Sequence, residues 1–281
     1  MNELSLTTEV ELNDGHAIPQ LGFGVFQITD PEECATAVKT ALDVGYRHFD
    51  TATVYQNEAF LGRTLEESGV AREDLFLTTK CWISDFGRES TRAALETSLS
   101  KLKTDYVDLY LLHWPEDGSM MAAWEALLAM REEGKCRSIG VSNFTLARFE
   151  KFFFTHTDEV PAVNQIEQHP LRSQGDTQAY CEEKGIAVES YSPLARAECL
   201  SNPELKRLAE ETGKTPAQVI LRWHLQHDRI VIPKSVHPER IRQNAEVFDF
   251  DLSDDQMARV DALNRDESVI SWRPNDGKGW Y

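Results

Sequence analysis

Basic residues are scarce in this chain: 29 Lys and Arg stand against 47 Asp and Glu across 281 residues, a formal net charge of −18. A surface of that sign is repelled by phosphate backbones and anionic lipids, so neither nucleic-acid nor membrane binding is expected, and any anionic ligand must meet a local basic patch. Cysteine is sparse too. Cys34, Cys81, Cys136, Cys181 and Cys199 include no C-x-x-C pair, which argues against a disulfide framework or zinc knuckle and points to a reducing, cytoplasmic compartment. Long apolar runs are missing; the stretch 107–114 is broken by Asp108 and His113 and cannot span a bilayer. The first residues, Met1-Asn2-Glu3-Leu4-Ser5, offer no basic segment or apolar core, so no signal peptide is expected. The histidines His16, His48, His156, His169, His224, His227 and His237 show no metal-ligand spacing, and no metal site is expected. With 41% hydrophobic and 27% charged residues, the composition is that of a folded protein.

What is present is a rhythm. Val10 and Leu12 alternate before Asn13-Asp14-Gly15, and Ala17 and Ile18 resume the pattern, a hairpin signal. Short apolar or β-branched runs then recur at 23–26, 48–52, 75–80, 107–113, 138–143, 163–167, 187–192 and 230–235, each reading as a buried strand. Helical spacing separates them. Asp30-Pro31-Glu32 is a cap, a first-turn proline and a first-turn acid, followed by Ala35, Val38 and Leu42 and stopped by Gly45. Met121, Trp124 and Leu128 repeat the spacing before Gly134, as do Ala217, Ile220, Leu221 and Leu225 after Thr215-Pro216. Strand and helix alternating eight times close most simply into one (β/α)₈ TIM barrel, and no linker divides residues 1–281. The competing doubly wound fold lacks its fingerprint: Gly22-Phe23-Gly24-Val25-Phe26-Gln27 ends in Gln and opens no helix.

In a barrel the site forms where strands end at the C-terminal face. Those ends are polar here: Asp50, Lys80, His113, Ser142 with Asn143, Gln165 with Glu167, Tyr191 with Ser192, and Lys234 with Ser235. Each alone has a structural explanation: Asp50 capping a loop, Lys80 snorkelling, His113 or Tyr191 packed in the core. Together they would converge on one mouth with little else to pair with, which favours a site.

The motifs around these residues are similar to those of the aldo-keto reductases. Gly45-Tyr46-Arg47-His48-Phe49-Asp50-Thr51-Ala52 with Tyr55 and Asn57-Glu58 resembles the first family signature. Gly134-Lys135 with Ser138-Ile139-Gly140-Val141-Ser142-Asn143-Phe144 resembles the second, and Ile232-Pro233-Lys234-Ser235-Val236 with Arg240 the third. The resemblance implies a barrel that binds NADPH in extended form and reduces carbonyls, with a catalytic tetrad on Asp50, Tyr55, Lys80 and His113. Tyr55 would be the general acid. An unperturbed phenol titrates near about 10, so Lys80, balanced by Asp50, is expected to lower it. His113 would orient the carbonyl oxygen and favour aldehydes and ketones as substrates.

The same resemblance places the cofactor on Gly24, Val25, Ser142, Asn143, Gln165, Tyr191, Ser192 and Leu194. Lys234, Ser235, Val236, Arg240 and Asn244 complete the set. Ser142, Asn143 and Gln165 offer polar groups to a carboxamide, and Tyr191 a flat face for stacking. Lys234 and Arg240 beside a helix opened by Pro238 make an anion site that favours NADPH over NADH. His237 stands where relatives often carry Thr, Gln243 where many carry Glu, and Phe26 where tryptophan is usual. Only Pro115 to Ser119 separates Trp114 from the next helix, and the tail from Ser271 to Tyr281 is short. Short substrate loops and a shallow pocket walled by Phe26, Trp82, His113 and Trp114 are the expected result, similar to bacterial 2,5-diketo-D-gluconate reductases; family members are often monomeric. Two other readings stay open: an NADPH-binding redox sensor or scaffold without catalysis, and a barrel isomerase or lyase using Lys80 as a Schiff-base amine.

Overall fold

The computed structural model describes residues 4–271 and 274, so most of the short tail from 271 onward lies outside the described residues. Two strands, β1 (Glu9–Glu11) and β2 (Ala17–Pro19), pair antiparallel with Val10 opposite Ile18, and Gly15 supplies the left-handed turn at φ 84°. Eight parallel strands follow: β3 (Phe23–Gly24), β4 (His48–Asp50), β5 (Phe76–Cys81), β6 (Val107–Leu112), β7 (Cys136–Ser142), β8 (Val163–Glu167), β9 (Ala187–Tyr191) and β10 (Ile230–Val231). They pair in chain order from β3 to β10. The ring closes through a parallel bridge of Leu21 with Val231, where Val231 N–H donates to the Gln20 carbonyl at 2.9 Å and Gly22 N–H to the Val231 carbonyl at 2.9 Å. This is the (β/α)₈ barrel with its N-terminal hairpin.

Helices cover the outside: α1 (Pro31–Val44), α2 (Glu58–Ser68), α3 (Arg88–Leu102), α4 (Met120–Glu132), α5 (Leu146–Lys151), α6 (Gly175–Glu183), α7 (Pro203–Thr212), α8 (Pro216–Gln226), α9 (Pro238–Ala245) and α10 (Asp254–Asp261). Local chemistry sets their ends. The Asp30 carboxylate accepts from the Glu32 and Glu33 amides, and Gly45 leaves α1 at φ 113°, a conformation that other residues resist. Thr215 and Gln218 form a reciprocal capping box at the start of α8.

Strand lengths differ from the sequence reading at several places, two of them at the seam that closes the barrel. The run 23–26 forms a ladder only over Phe23–Gly24, and 230–235 only over Ile230–Val231. Pro233 has no N–H to donate, so β10 ends before it, although its carbonyl still accepts from Gly24 N–H at 3.2 Å. The core has three buried clusters, one of them joining α7, α8 and α10 through Leu205, Leu208, Val219 and Val260. Strand and helix faces pack through Val38, Leu77, Tyr110, Trp124 and Leu225. The barrel bottom is filled by Phe76, Leu109, Leu111 and Ile230, on which the hairpin residues Leu12 and Ile18 sit as a plug. With one end sealed by apolar side chains, access is left to the other. All five cysteines are buried and free, and among the described residues no helix is long and apolar enough to cross a membrane.

Candidate active site

A cleft of about 1000 Å³ opens at the C-terminal ends of the strands. Its wall includes Gly24 and Phe26 after β3, Asp50 and Tyr55 after β4, Trp82 after β5, and His113 and Trp114 after β6. Ser142 and Asn143 (β7), Gln165 (β8), Tyr191, Ser192 and Leu194 (β9), and Lys234, Ser235, Val236, Arg240 and Asn244 (β10 to α9) complete it. Eight strand ends far apart in sequence thus meet at one mouth. Two expected residues stand behind the wall. Val25 is fully buried, its N–H donates to the Asp50 carbonyl at 3.1 Å, and its carbonyl accepts from Asn57 Nδ2 at 2.7 Å. Its backbone is therefore already engaged and its side chain belongs to the core, not the cleft.

Lys80 is the second. Its Nζ, with no solvent exposure, donates to Asp50 Oδ1 at 2.8 Å, Asp50 Oδ2 at 2.7 Å and the Thr51 carbonyl at 2.8 Å. The Tyr55 hydroxyl is 3.5 Å from the same nitrogen. With its ammonium committed to these acceptors, Lys80 offers no amine to a substrate, which removes support for a Schiff-base mechanism.

The phenol does not behave as expected from the cation alone. Burial first, and then the negative charge of Asp50, pushes the Tyr55 hydroxyl well above the usual phenol range rather than below it. The reason is that Asp50 grips Lys80 through both oxygens, so the two charges largely cancel at the phenol while desolvation remains. Tyr55 is thus held protonated, with a hydrogen to give. His113 is neutral: burial and the nearby Lys80 hold its imidazole well below the ordinary histidine range. Its Nδ1 is sealed without a partner, so any hydrogen bond into the cleft runs from Nε2. The rings of Tyr55 and Trp82 meet His113 edge-on at 5.5 and 5.0 Å, and Phe26 lies 4.8 Å from Tyr55. Phe26 and Val54 are the exposed large hydrophobic side chains at this rim, each 42% accessible.

The polar residues expected at a carboxamide form a web of their own. Ser142 Oγ donates to the Gln165 carbonyl at 2.8 Å, Asn143 Nδ2 to the His113 carbonyl at 3.0 Å, and the Tyr191 hydroxyl to Asn143 Oδ1 at 2.7 Å. Gln165 Nε2 bridges Asp50 Oδ2 at 2.8 Å and Glu189 Oε2 at 2.7 Å. The web fixes Tyr191 and Asn143 (φ 66°) in place before anything binds. Lys234, His237 and Arg240 are exposed along the far arm of the cleft, joined by Arg196 from the loop after β9.

Sequence reasoning missed several of these. Glu189 was read only as part of a strand, although an acid inside a run of buried residues was itself a signal. Arg196, Thr215-Pro216-Ala217 at the start of α8, and Ile270 and Ser271 also line the cleft. The last pair is held there by Glu167, whose Oε1 accepts from Val269 N–H at 2.7 Å and whose Oε2 accepts from Ser268 Oγ at 2.6 Å.

Residues 20–265 match the model of the aldo/keto reductase family. The chain belongs to that family. Glyoxal reductase of Bacillus subtilis is 46% identical over 265 residues, covering 94% of this chain and 96% of that protein. Methylglyoxal reductase DkgA of Yersinia pestis is 45% identical over 259 residues, covering 91% and 92%. A variant of Gox0644 solved in complex with NADPH superposes with a TM-score of 0.87 at 41% identity, covering 92% of this chain and 94% of that one. As an aldo/keto reductase, the protein is an oxidoreductase whose relatives reduce carbonyl compounds. The family resemblance in the motifs and the barrel geometry therefore agree.

Proposed function

We propose that this aldo/keto reductase uses NADPH to reduce small aldehydes, ketones and α-dicarbonyls to alcohols, with Tyr55 as the general acid. The observation that carries the reading is the Tyr55 hydroxyl, 3.5 Å from a Lys80 ammonium that Asp50 holds, set beside His113 at the floor of the cleft. NADPH, bound in the cleft, would supply the hydride. The residues present fit it: Tyr191 offers a ring face, and Lys234 and Arg240 place two cations at the far arm, as a cofactor with an extra phosphate requires. Gly24 lines the cleft, and its missing side chain serves the close packing of β3 on the β10 segment, where an added Cβ would lie 3.2 Å from the Ile232 carbonyl.

His113 Nε2 would hold the carbonyl oxygen and Tyr55 would protonate it as negative charge develops there. Lys80, fixed by Asp50, then stabilises the phenolate left behind. Phe26, Trp82 and Trp114 give the acyl side an apolar wall, which accepts many short carbonyls instead of selecting one. The short loops, similar to those of 2,5-diketo-D-gluconate reductases, support extending this range to keto-sugars, and the chain works as one barrel unit.

The test pairs Tyr55→Phe with a panel of glyoxals, aldehydes and keto-sugars followed by NADPH oxidation, with NADH alongside. Reduction should fall by about a thousandfold or more, in line with loss of a general acid, while NADPH still quenches tryptophan fluorescence. Retained turnover would refute the role of Tyr55, and equal rates with NADH would refute that of Lys234 and Arg240. Tight NADPH binding with no substrate in the panel would instead revive a sensor role.

A further inference from the structure

Behind the tetrad lies a carboxyl group that the reduction scheme leaves unused. Glu189, in the middle of β9, has no solvent exposure. The parallel register of β8 and β9 sets it opposite Gln165, whose Nε2 donates to Glu189 Oε2 at 2.7 Å and to Asp50 Oδ2 at 2.8 Å. Glu189 Oε1 lies 3.3 Å from His48 Nε2 and, among the described residues, has no hydrogen-bond partner.

The far side of the imidazole decides where the proton of this pair sits. His48 Nδ1 is 3.3 Å from the Pro19 carbonyl, which can only accept, so Nδ1 carries the ring hydrogen. A second proton is disfavoured: burial, aided by Lys80, pushes His48 down to about 3 despite the Pro19 hydrogen bond. Nε2 is then a lone pair, facing Glu189 Oε1 and, at 3.3 Å, the Thr78 hydroxyl. An ionised carboxylate there would set acceptor against acceptor inside a dry core. A protonated one donates O–H to the nitrogen and still accepts from Gln165.

We propose that Glu189 is a positioning residue that stays protonated in the working enzyme, donating to His48 and accepting from Gln165, so that Asp50 is the sole carboxylate balancing Lys80 when Tyr55 releases its proton. The groups facing it are His48 and Asp50 from β4, Thr78 and Lys80 from β5, and Gln165 from β8. With Glu189 neutral, Lys80 and Asp50 sum to zero and the phenolate formed at Tyr55 is the one new charge. With Glu189 ionised, that phenolate would form beside an uncompensated anion, and His48 would have to abandon the Pro19 carbonyl to offer Nε2–H. Burial and Asp50 together lift the Glu189 carboxyl to about 8, against the pull of Gln165 and Lys80, so the change falls within the range of a rate profile.

The inference rests on Tyr55 as proton donor, and the experiment separates the two claims. The rate of carbonyl reduction at saturating NADPH is measured from pH 6 to 10 for the wild type and Glu189→Gln, whose amide gives NH to His48 and a carbonyl to Gln165 at every pH. The wild-type rate should fall above a pH of about 8, and in E189Q the fall should move up by roughly one pH unit or more. Superimposed profiles would overturn the proposal. A readout that needs no variant is ¹⁵N NMR of the wild-type imidazoles: one ring should exchange its Nδ1–H for Nε2–H in the same pH range without gaining a proton. A His48 ring that carries its hydrogen on Nε2 at neutral pH, where Glu189 would then have to be the ionised acceptor, would also overturn it. Full activity of Tyr55→Phe would refute the acid assignment and leave the NMR result standing.

Discussion

Replacing Asp50 by Asn removes one charge from a buried pair and nothing else of size. Lys80 Nζ now has two carboxylate oxygens at 2.8 and 2.7 Å and one carbonyl at 2.8 Å, and neither residue exceeds 2% accessibility. An ammonium left there without a counter-charge should cost about 3–5 kcal/mol, the usual penalty for breaking a buried ion pair from one side. At the two- to four-degree shift per kcal/mol typical of larger domains, this is a Tm loss of roughly 6–20 °C. Asp50→Asn with Lys80→Met removes both charges and replaces the lysine stem with apolar volume, so most of that loss should be recovered. Urea and thermal unfolding by circular dichroism of wild type, single and double variants measure the difference, independently of activity, which both changes should abolish. The reasoning fails if the single variant loses under about 1 kcal/mol, or if the double variant is no more stable than the single.

Three further outcomes follow from packing and from the cleft wall. Gly140→Ala would place a Cβ 2.4 Å from the Val163 carbonyl, between β7 and β8, and should cost about 3 kcal/mol or more in unfolding experiments. Gly134→Ala, in open space at φ 74°, should cost only the roughly 1–2 kcal/mol of a left-handed backbone; equal losses would refute the steric account. Glu167→Ala should release residues 268–271 from the rim, raising KM for the carbonyl more than it lowers kcat and exposing the segment to limited proteolysis. For Glu167, burial raises the carboxyl but hydrogen bonds from His169, Ser268 and Val269 outweigh it and hold it below the usual carboxylate range. The stability it lends is thus present above the ordinary carboxylate range and lost as pH falls through the lowered folded value, so proteolysis of the wild-type segment should accelerate in acid.

The barrel was readable because its grammar is local. Asp30-Pro31 and Gly45 around α1, and Thr215 with Gln218 at α8, act through contacts within a few residues, so their ends survive any tertiary context. Polar strand ends marked Asp50, His113, Asn143, Gln165 and Tyr191, which line the common mouth, and Lys80, which stands just behind it. What the chain could not disclose depends on distances across the ring. Val25 looked like its neighbour Gly24 in sequence, but its carbonyl is taken by Asn57 and its side chain by the core.

The order of residue types along this chain determined by itself the repeat of strand and helix, the polar strand ends and the local cations at Lys234 and Arg240 within an acidic whole. Only the tertiary structure decided which charges see each other. Lys80 appeared in sequence as a cation beside a phenol; folded, it is bound by both Asp50 oxygens, and Tyr55 is held protonated instead of being drawn toward phenolate. Ionisation depends on solvent exclusion and on separations of a few ångströms between residues 25 to 115 positions apart, as for Lys80 with Tyr55 and Gln165 with Asp50, and no local pattern encodes those.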